Sequence, residues 1–266
     1  MLPFAEHRSY SPGLPVYAAT GRGFDFLAHW HPDVELCLVT EGLMTVGVDG
    51  QRVDLGPGDL ALVASNGIHH YQKTARGSAH IMVIFRPEVA GYPGIWPHQR
   101  RVVQPFWRAT ETGVVPELLR QILEEYRRDD EFRATVVRGL VTQLCGLLDR
   151  GFTVEEAQTL AEPVTLRHRM AEAITFVRSR FSTDLTLDEV AAHVNQSPWY
   201  FSRCFQRSCG TGFKAYLNAL RVEEASRLLV TTDRTILDIA LACGFSGSRS
   251  FHRTFRRVTG RAPRAG

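Results

Sequence analysis

Thr186-Leu187-Asp188-Glu189-Val190-Ala191-Ala192-His193-Val194-Asn195-Gln196-Ser197-Pro198-Trp199-Tyr200-Phe201-Ser202-Arg203-Cys204-Phe205 sets the reading of the whole chain. Thr186 and Glu189 stand at the spacing of a capping box, just ahead of apolar Val190, Ala191 and Val194. Small Ala191 and Ala192 let a second helix approach closely. Asn195 tolerates the left-handed conformation that ends a helix. Ser197-Pro198 restarts one, with serine as N-cap and proline in the first turn. The order is helix, short turn, helix. Phe201, Cys204 and Phe205 are expected on the buried face of the second helix. Trp199, Ser202, Arg203 and Gln206 fall at i, i+3, i+4 and i+7 on the opposite face. They offer hydrogen-bond donors and an aromatic ring to a DNA major groove.

The same grammar returns 49 residues later. Thr235-Ile236-Leu237-Asp238 has cap spacing, Ile239, Ala240 and Cys243 follow, and Gly244 takes the turn position of Asn195. Phe245-Ser246 restarts the chain with one extra residue. Phe251 and Phe255 are expected inside. Arg249, Ser250 and Arg253 are expected outside, with Arg256 and Arg257 further along, where phosphates would lie. One such pattern is a weak signal, but here there are two within about a hundred residues. Charge agrees. The chain carries +3 overall, yet residues 1–162 hold 15 Lys+Arg against 20 Asp+Glu, and residues 163–266 hold 16 against 8. A basic back third is the electrostatic footprint of a nucleic-acid-binding module.

Residues 168–263 resemble the DNA-binding domain of AraC/XylS-type transcription regulators. Arg221-x-Glu223-Glu224-Ala225-x3-Leu229 is similar to that domain's linker helix. Ile236-x2-Ile239-Ala240-x3-Gly244-Phe245 and Thr259-Gly260-x2-Pro263 are similar to its most diagnostic stretch. The resemblance implies that Trp199, Ser202 and Arg203, and then Arg249, Ser250 and Arg253, enter two adjacent major-groove segments. It also implies RNA polymerase as a partner.

Upstream, residues 34–86 are short apolar runs broken by Gly, Pro and Asp. Val34–Thr40 and Leu43–Val48 flank Glu41-Gly42, read as a turn. Asp49-Gly50 suits a tight hairpin. Gln51–Leu55, Leu60–Ala64 and Ala79–Phe85 complete the strands, which predict an antiparallel sandwich or barrel. Gly23-x5-His29-x-His31-x3-Glu35-x6-Gly42 places both histidines on one strand face, and Glu35 with them if Pro32 leaves the strand unbroken. His69 or His70 would complete the set from a later strand. Such groups either hydrogen-bond at the barrel mouth or hold a divalent metal ion such as Zn, Mn, Fe or Ni. No other cofactor is expected.

This spacing matches the first motif of the cupin superfamily. Gly58-x5-Ala64-x-Asn66-x2-His69 keeps the first glycine and the histidine of the second, with Ala64 and Asn66 in place of proline and glycine, and Lys73 in place of asparagine. The resemblance implies a small β-barrel with a pocket. A barrel like this ahead of the DNA-binding domain is the common arrangement among the regulators just named. Sugar-responsive members carry similar His-Trp-His-Pro stretches, which implies a carbohydrate-like effector.

After Pro116 the period becomes helical: Leu118, Leu119, Ile122, Leu123 and Tyr126, then Val136 to Leu148, with a break near Asp129-Asp130. These helices either pack on the barrel or form a dimer seam. The expected chain is therefore a two-domain α+β protein. Residues 1–150 are a cupin-like antiparallel β-barrel plus helices, 151–169 a linker, and 170–266 an all-α domain with two helix-turn-helix motifs. It is expected to be a cytoplasmic homodimer that binds double-stranded DNA and a small-molecule effector. The expected effector residues are His29, Trp30, His31, Glu35, His69 and Tyr71. The rival expectation is a metal-dependent cupin enzyme with an appended DNA-binding region, using His29, His31, Glu35 and His69. No run of about 18 apolar residues occurs, so no membrane span is expected. Five cysteines without a C-x-x-C pair predict free thiols.

Overall fold

The computed structural model describes residues 10, 13–23, 25–90, 100–151, 154–156 and 161–263. The chain divides into two compact units between Arg167 and His168, within helix α3 (Ala161–Arg180).

The first unit is built on two long strands, β3 (Val34–Val48) and β6 (His69–Phe85), antiparallel from Val34↔Phe85 to Val48↔His69. Strand β1 (Val16–Arg22) and strand β2 (Phe26–His29) pair with successive stretches of β6. Strand β4 (Gln51–Leu55) and strand β5 (Leu60–Val63) do the same along β3. A short β8 (Phe106–Trp107) extends the sheet beyond β5, while β7 (Arg100–Val102) pairs separately with β9 (Val154–Glu156). Asp49 and Gly50 both have positive φ, the geometry of the tight hairpin turn expected there.

The pleat sends alternate side chains to two cores. Leu36, Leu38, Leu60, Leu62, Ile81, Val83 and Phe85 pack with helix α1 (Val115–Tyr126) and helix α2 (Arg133–Gly151). Cys37, Val39, Val46, Val63, Met82 and Ile84 fill the other side. Both helices therefore bury their apolar faces on the sheet.

Two readings need correction. Glu41-Gly42 is not a reversal but lies within β3, where the register slips against β6 on both sides of it. Gly42 has φ +69°, and a Cβ there would run into the Gly77 carbonyl of the facing strand. Both strands carry the irregularity, so the ladder bulges instead of turning back. Likewise the strand expected at Ala79–Phe85 begins ten residues earlier, at His69, so the later strand expected to carry His69 or His70 is the first half of β6. Of the expected linker 151–169, the described residues include β9 and the start of α3.

The second unit is helical. The remainder of α3 is followed by α4 (Leu187–His193), α5 (Pro198–Cys209), α6 (Phe213–Thr231), α7 (Ile236–Ala242) and α8 (Ser248–Thr259). Helices α4–α5 and α7–α8 are the two helix-turn-helix motifs, with α6 running between them. Thr186 closes the expected capping box with Glu189, Asn195 is left-handed, and Ser197 caps α5. Phe201, Phe205 and Tyr216 pack in one motif, and Phe245, Phe251 and Phe255 in the other. Cys204 is half-buried rather than buried. Among the described residues no helix is long and apolar enough to cross a membrane, and all five cysteines are free thiols.

Candidate nucleic-acid interface and histidine cluster

Helices α5 and α8 present matching polar stripes. Setting Phe201 and Phe205 against Phe251 and Phe255 gives a constant offset of 50. That offset pairs Trp199, Ser202, Arg203 and Gln206 with Arg249, His252, Arg253 and Arg256. All are exposed except half-buried Ser202. Trp199 is 68% exposed, and the Arg203 guanidinium lies 4.8 Å from its ring centre. Arg256 and Arg257 are exposed in the last turn of α8, which has no acidic residue.

Ser250 falls off this stripe. It is half-buried and its hydroxyl donates to the Gly247 carbonyl at 2.8 Å, so its proton is committed within the motif. His252 holds the position that corresponds to Ser202. The 49-residue spacing of the caps hid this, because the second motif has one more residue in its turn; the phenylalanine spacing carries the true register.

Arg221 was legible only as part of a linker-helix pattern. Its Nε donates to the Phe181 carbonyl and its NH2 group to the Thr183 carbonyl, both at 2.7 Å. Between these lies Ser182, whose carbonyl oxygen would be 2.6 Å from a Cβ on Gly244. The loop before the first motif is thereby seated against the turn of the second, and this fixes how the two motifs stand to one another.

In the first unit, β2 ends at His29 and β3 starts at Val34, so the strand is interrupted around Pro32. The crossing is held instead by the 64–68 loop. Asn66 N donates to the His31 carbonyl at 2.8 Å, and Ser65 Oγ to the Pro32 carbonyl at 2.5 Å. This brings His31 beside His69. One ring nitrogen from each of His29, His31 and His69 lies within 4.8 Å of the others, and all three residues are buried. Glu35 is 1% exposed; its Oε2 is 3.1 Å from His31 Nε2 and 3.6 Å from His69 Nε2. Its Oε1 accepts from the Tyr71 hydroxyl.

Burial, then His69, holds the His29 ring well below the usual histidine range, so it is neutral near pH 7. Burial opposes ionisation of Glu35, but His69 and the hydrogen bonds from His31 and His69 outweigh it and keep the carboxyl well below its usual range. His70 points to the opposite face, over Gly47, and does not join the cluster. Trp30 is half-buried between the two histidines. Two clefts open on this unit. One lies at the bulges beside Arg22, Glu41 and Ser78, the other beside Trp107, Thr112 and Leu147. Neither includes a cluster residue.

Comparison with known proteins agrees with both halves. Residues 11–144 match the AraC-like ligand binding domain, and residues 190–265 match a helix-turn-helix domain. The chain is 26% identical over 252 residues to the melibiose operon regulatory protein of Escherichia coli (strain K12), covering 89% of this chain and 82% of that one. It is 36% identical over 111 residues to the regulatory protein PocR of Salmonella typhimurium, covering 42% of this chain and 37% of that one. Among solved structures, ToxT from Vibrio cholerae O395 aligns with a TM-score of 0.45 at 12% identity, over 94% of this chain and 95% of that one. The two sequence relatives are named as regulatory proteins.

Proposed function

This chain belongs to the AraC family of DNA-binding transcriptional regulators with an effector-binding domain, and from that membership we propose how its parts divide the work. Helices α5 and α8 read two adjacent major-groove segments. Trp199, Ser202, Arg203 and Gln206 serve the first, and Arg249, His252 and Arg253 the second. Arg256 and Arg257 neutralise phosphates. The observation that carries this reading is the pair of exposed stripes at one constant offset, on two motifs locked together through Arg221 and Gly244.

The protein acts in the cytoplasm as a homodimer and works on RNA polymerase. Support for the dimer comes from α2 and the residue just before it, where Phe132, Val136, Leu140, Gln143 and Leu147 follow one another at intervals of three or four. Phe132 and Val136 are exposed, and Gly139 and Gly146 on the same helix have open space where a Cβ would stand. The kinship with a regulator of a melibiose operon supports a carbohydrate-like effector. Trp30 and the polar cluster of His29, His31, Glu35, His69 and Tyr71 form its side of the contact.

Selecting DNA fragments with the purified full chain tests the first reading. The expected operator half has two preferred segments about 10 base pairs apart, one helical turn. Inserting five base pairs between them should abolish tight binding. Unchanged affinity after the insertion would mean that only one motif enters a groove.

A further inference from the structure

The cleft beside Trp107, Thr112 and Leu147 stands apart from the histidine cluster, and its walls are fixed by contacts outside it. Strand β8 pairs Phe106 with Ala61 and Trp107 with Leu60, so the pleat sends Phe106 to the core of Cys37 and Val39 and Trp107 to the side of the helices. The residues that follow are pinned to the turn between β4 and β5. Asp59 Oδ1 accepts from the Ala109 N–H and Oδ2 from the Arg108 guanidinium, both at 2.8 Å. Gly58 permits this approach, since a Cβ there would stand 2.7 Å from that of Ala109. Buried Thr112 donates to the Ala109 carbonyl at 3.0 Å, just ahead of α1. The result is a cleft of about 320 Å³ bordered by the sheet edge, the start of α1 and the end of α2, at the small end of the range for ligand sites.

Its chemistry is one-sided. Trp107, Val114, Val115 and Leu147 give it an aromatic and aliphatic lining. Among the described residues that line it, Glu111 alone is charged. Its Oε2 accepts from the Arg108 main-chain N–H at 2.8 Å, which orients the carboxylate without neutralising it. The Arg108 guanidinium is committed elsewhere, to Asp59 and to the Asp54 carbonyl. The start of α1 does not reverse the sign. A helix N-terminus carries about half a unit of positive charge on its free N–H groups. Here the Val115 N–H is bonded to the Thr112 carbonyl, the Leu118 N–H to the Val114 carbonyl, and Pro116 has none. The full charge of the carboxylate outweighs what is left, so the cleft favours cations over anions.

We propose that this cleft is a second ligand site of the first unit and takes a small organic monocation with an apolar body, an arylalkyl- or alkylammonium. The Trp107 ring attracts the ammonium and covers the body. Glu111 pairs with the charge, and Val114, Val115 and Leu147 enclose the apolar end. A bound cation touches the sheet edge and both helices, so it stabilises the first unit as its concentration rises above Kd. The site shares no residue with the polar cluster, and its occupancy does not depend on the effector reading.

The test titrates the full chain with benzyltrimethylammonium, and with 3-phenylpropanol and 3-phenylpropionate as its neutral and anionic counterparts, by calorimetry. One equivalent of the cation per chain is expected, with a raised melting temperature. The alcohol should bind more weakly and the anion not at all, and the preference should shrink at high salt. Glu111→Gln keeps an acceptor for the Arg108 N–H. This variant and Trp107→Leu should each weaken cation binding about two- to fivefold. Glu111→Gln should also bring cation and alcohol to equal affinity. Glu41→Gln, in the other cleft, should bind as the unaltered chain does. No saturable binding, equal affinity of the unaltered chain for all three compounds, or the same loss in Glu41→Gln would overturn the proposal. So would binding seen only after Phe132→Asp, which would show that a second copy fills the cleft. Glu111 is exposed, so its replacement leaves the core intact. The selectivity of the unaltered chain decides the matter even if Trp107→Leu fails to fold.

Discussion

On the proposed reading, in which Arg203 contacts a base, its specificity depends on a second side chain. A free arginine on a helix surface samples many rotamers, and ordering it costs entropy on binding. Stacking on Trp199 at 4.8 Å removes part of that freedom beforehand. At an exposed site such a stack contributes about 0.5–1 kcal/mol. Trp199→Leu should therefore reduce base discrimination at the position read by Arg203 by roughly two- to fivefold. Discrimination at the position read by Arg253 should stay unchanged, as measured by selection on randomised operators. A uniform loss at all positions would mean that Trp199 only supports the helix. Gly244 is the other decisive single residue. Its φ is +80° and the Ser182 carbonyl stands where a Cβ would go. Gly244→Ala should lower the stability of the second unit by on the order of 2–3 kcal/mol, since the left-handed backbone alone costs about 1–2 kcal/mol. Urea titration followed by Trp199 fluorescence would measure it.

His70 gives the same scale a pH dependence. It is 2% exposed, and burial, followed by Arg52 and His69, depresses it to about 4. The folded state keeps this ring neutral, while the unfolded chain protonates it near 6.5. Between those values the unfolded state binds more protons, so stability falls as pH drops from about 6.5 to about 4. The loss should approach 3 kcal/mol, at about 1.4 kcal/mol per pH unit. His70→Leu should flatten the profile in that window; an unchanged slope would assign the acid sensitivity to another group.

At the level of elements, the two helix-turn-helix motifs are built from the same parts with unequal caps. Helix α4 has a closed capping box, and α5 has Ser197 and Pro198 at its start. Helix α8 has Gly247 as its N-cap, which offers no side chain to the free N–H groups. The second recognition helix is therefore the less firmly started of the two and leans more on Phe251 and Phe255. Thr186→Ala should cost about 1 kcal/mol of stability, as lost N-caps do. In exchange, α8 is the more cationic helix. Each phosphate that Arg256 or Arg257 neutralises should add about −0.9 to the slope of log affinity against log salt. Arg257→Ala should thus shallow the slope by about one and weaken all sequences alike. A loss confined to the operator would show that Arg257 reads bases.

Across the whole molecule, regulation requires that effector binding favour one arrangement of the two units over another, through differential affinity. A dimer along α2 would double the number of recognition helices on one DNA. Sedimentation of the full chain should show a dimer, and charged substitutions at Phe132 and Val136 should return it to monomer. Both residues lie outside the sheet-facing core, so the fold should survive the change.

The sequence by itself determined the local parts of this protein. Caps, turn residues and helical spacing are short-range physics, and they were legible at Thr186, Asn195, Ser197, Asp49-Gly50 and Gly244. The phenylalanine spacing of the recognition helices was equally present in the chain, although the cap spacing masked it and concealed His252. Only the tertiary structure decided what depends on packing between distant segments. Glu41-Gly42 looks like a turn until the facing strand supplies Gly77, because a bulge is a property of two strands. His69 and His70 are neighbours in sequence, and the register against Val48 and Gly47 alone sends one to the cluster and the other to the opposite face. The carbonyls of Leu27, Asp33 and Gly67 that face Nδ1 of His29, His31 and His69 lie two residues away in the chain, a local relation. The convergence of these rings on Glu35 is not local, because the 64–68 loop must first bind the chain around Pro32.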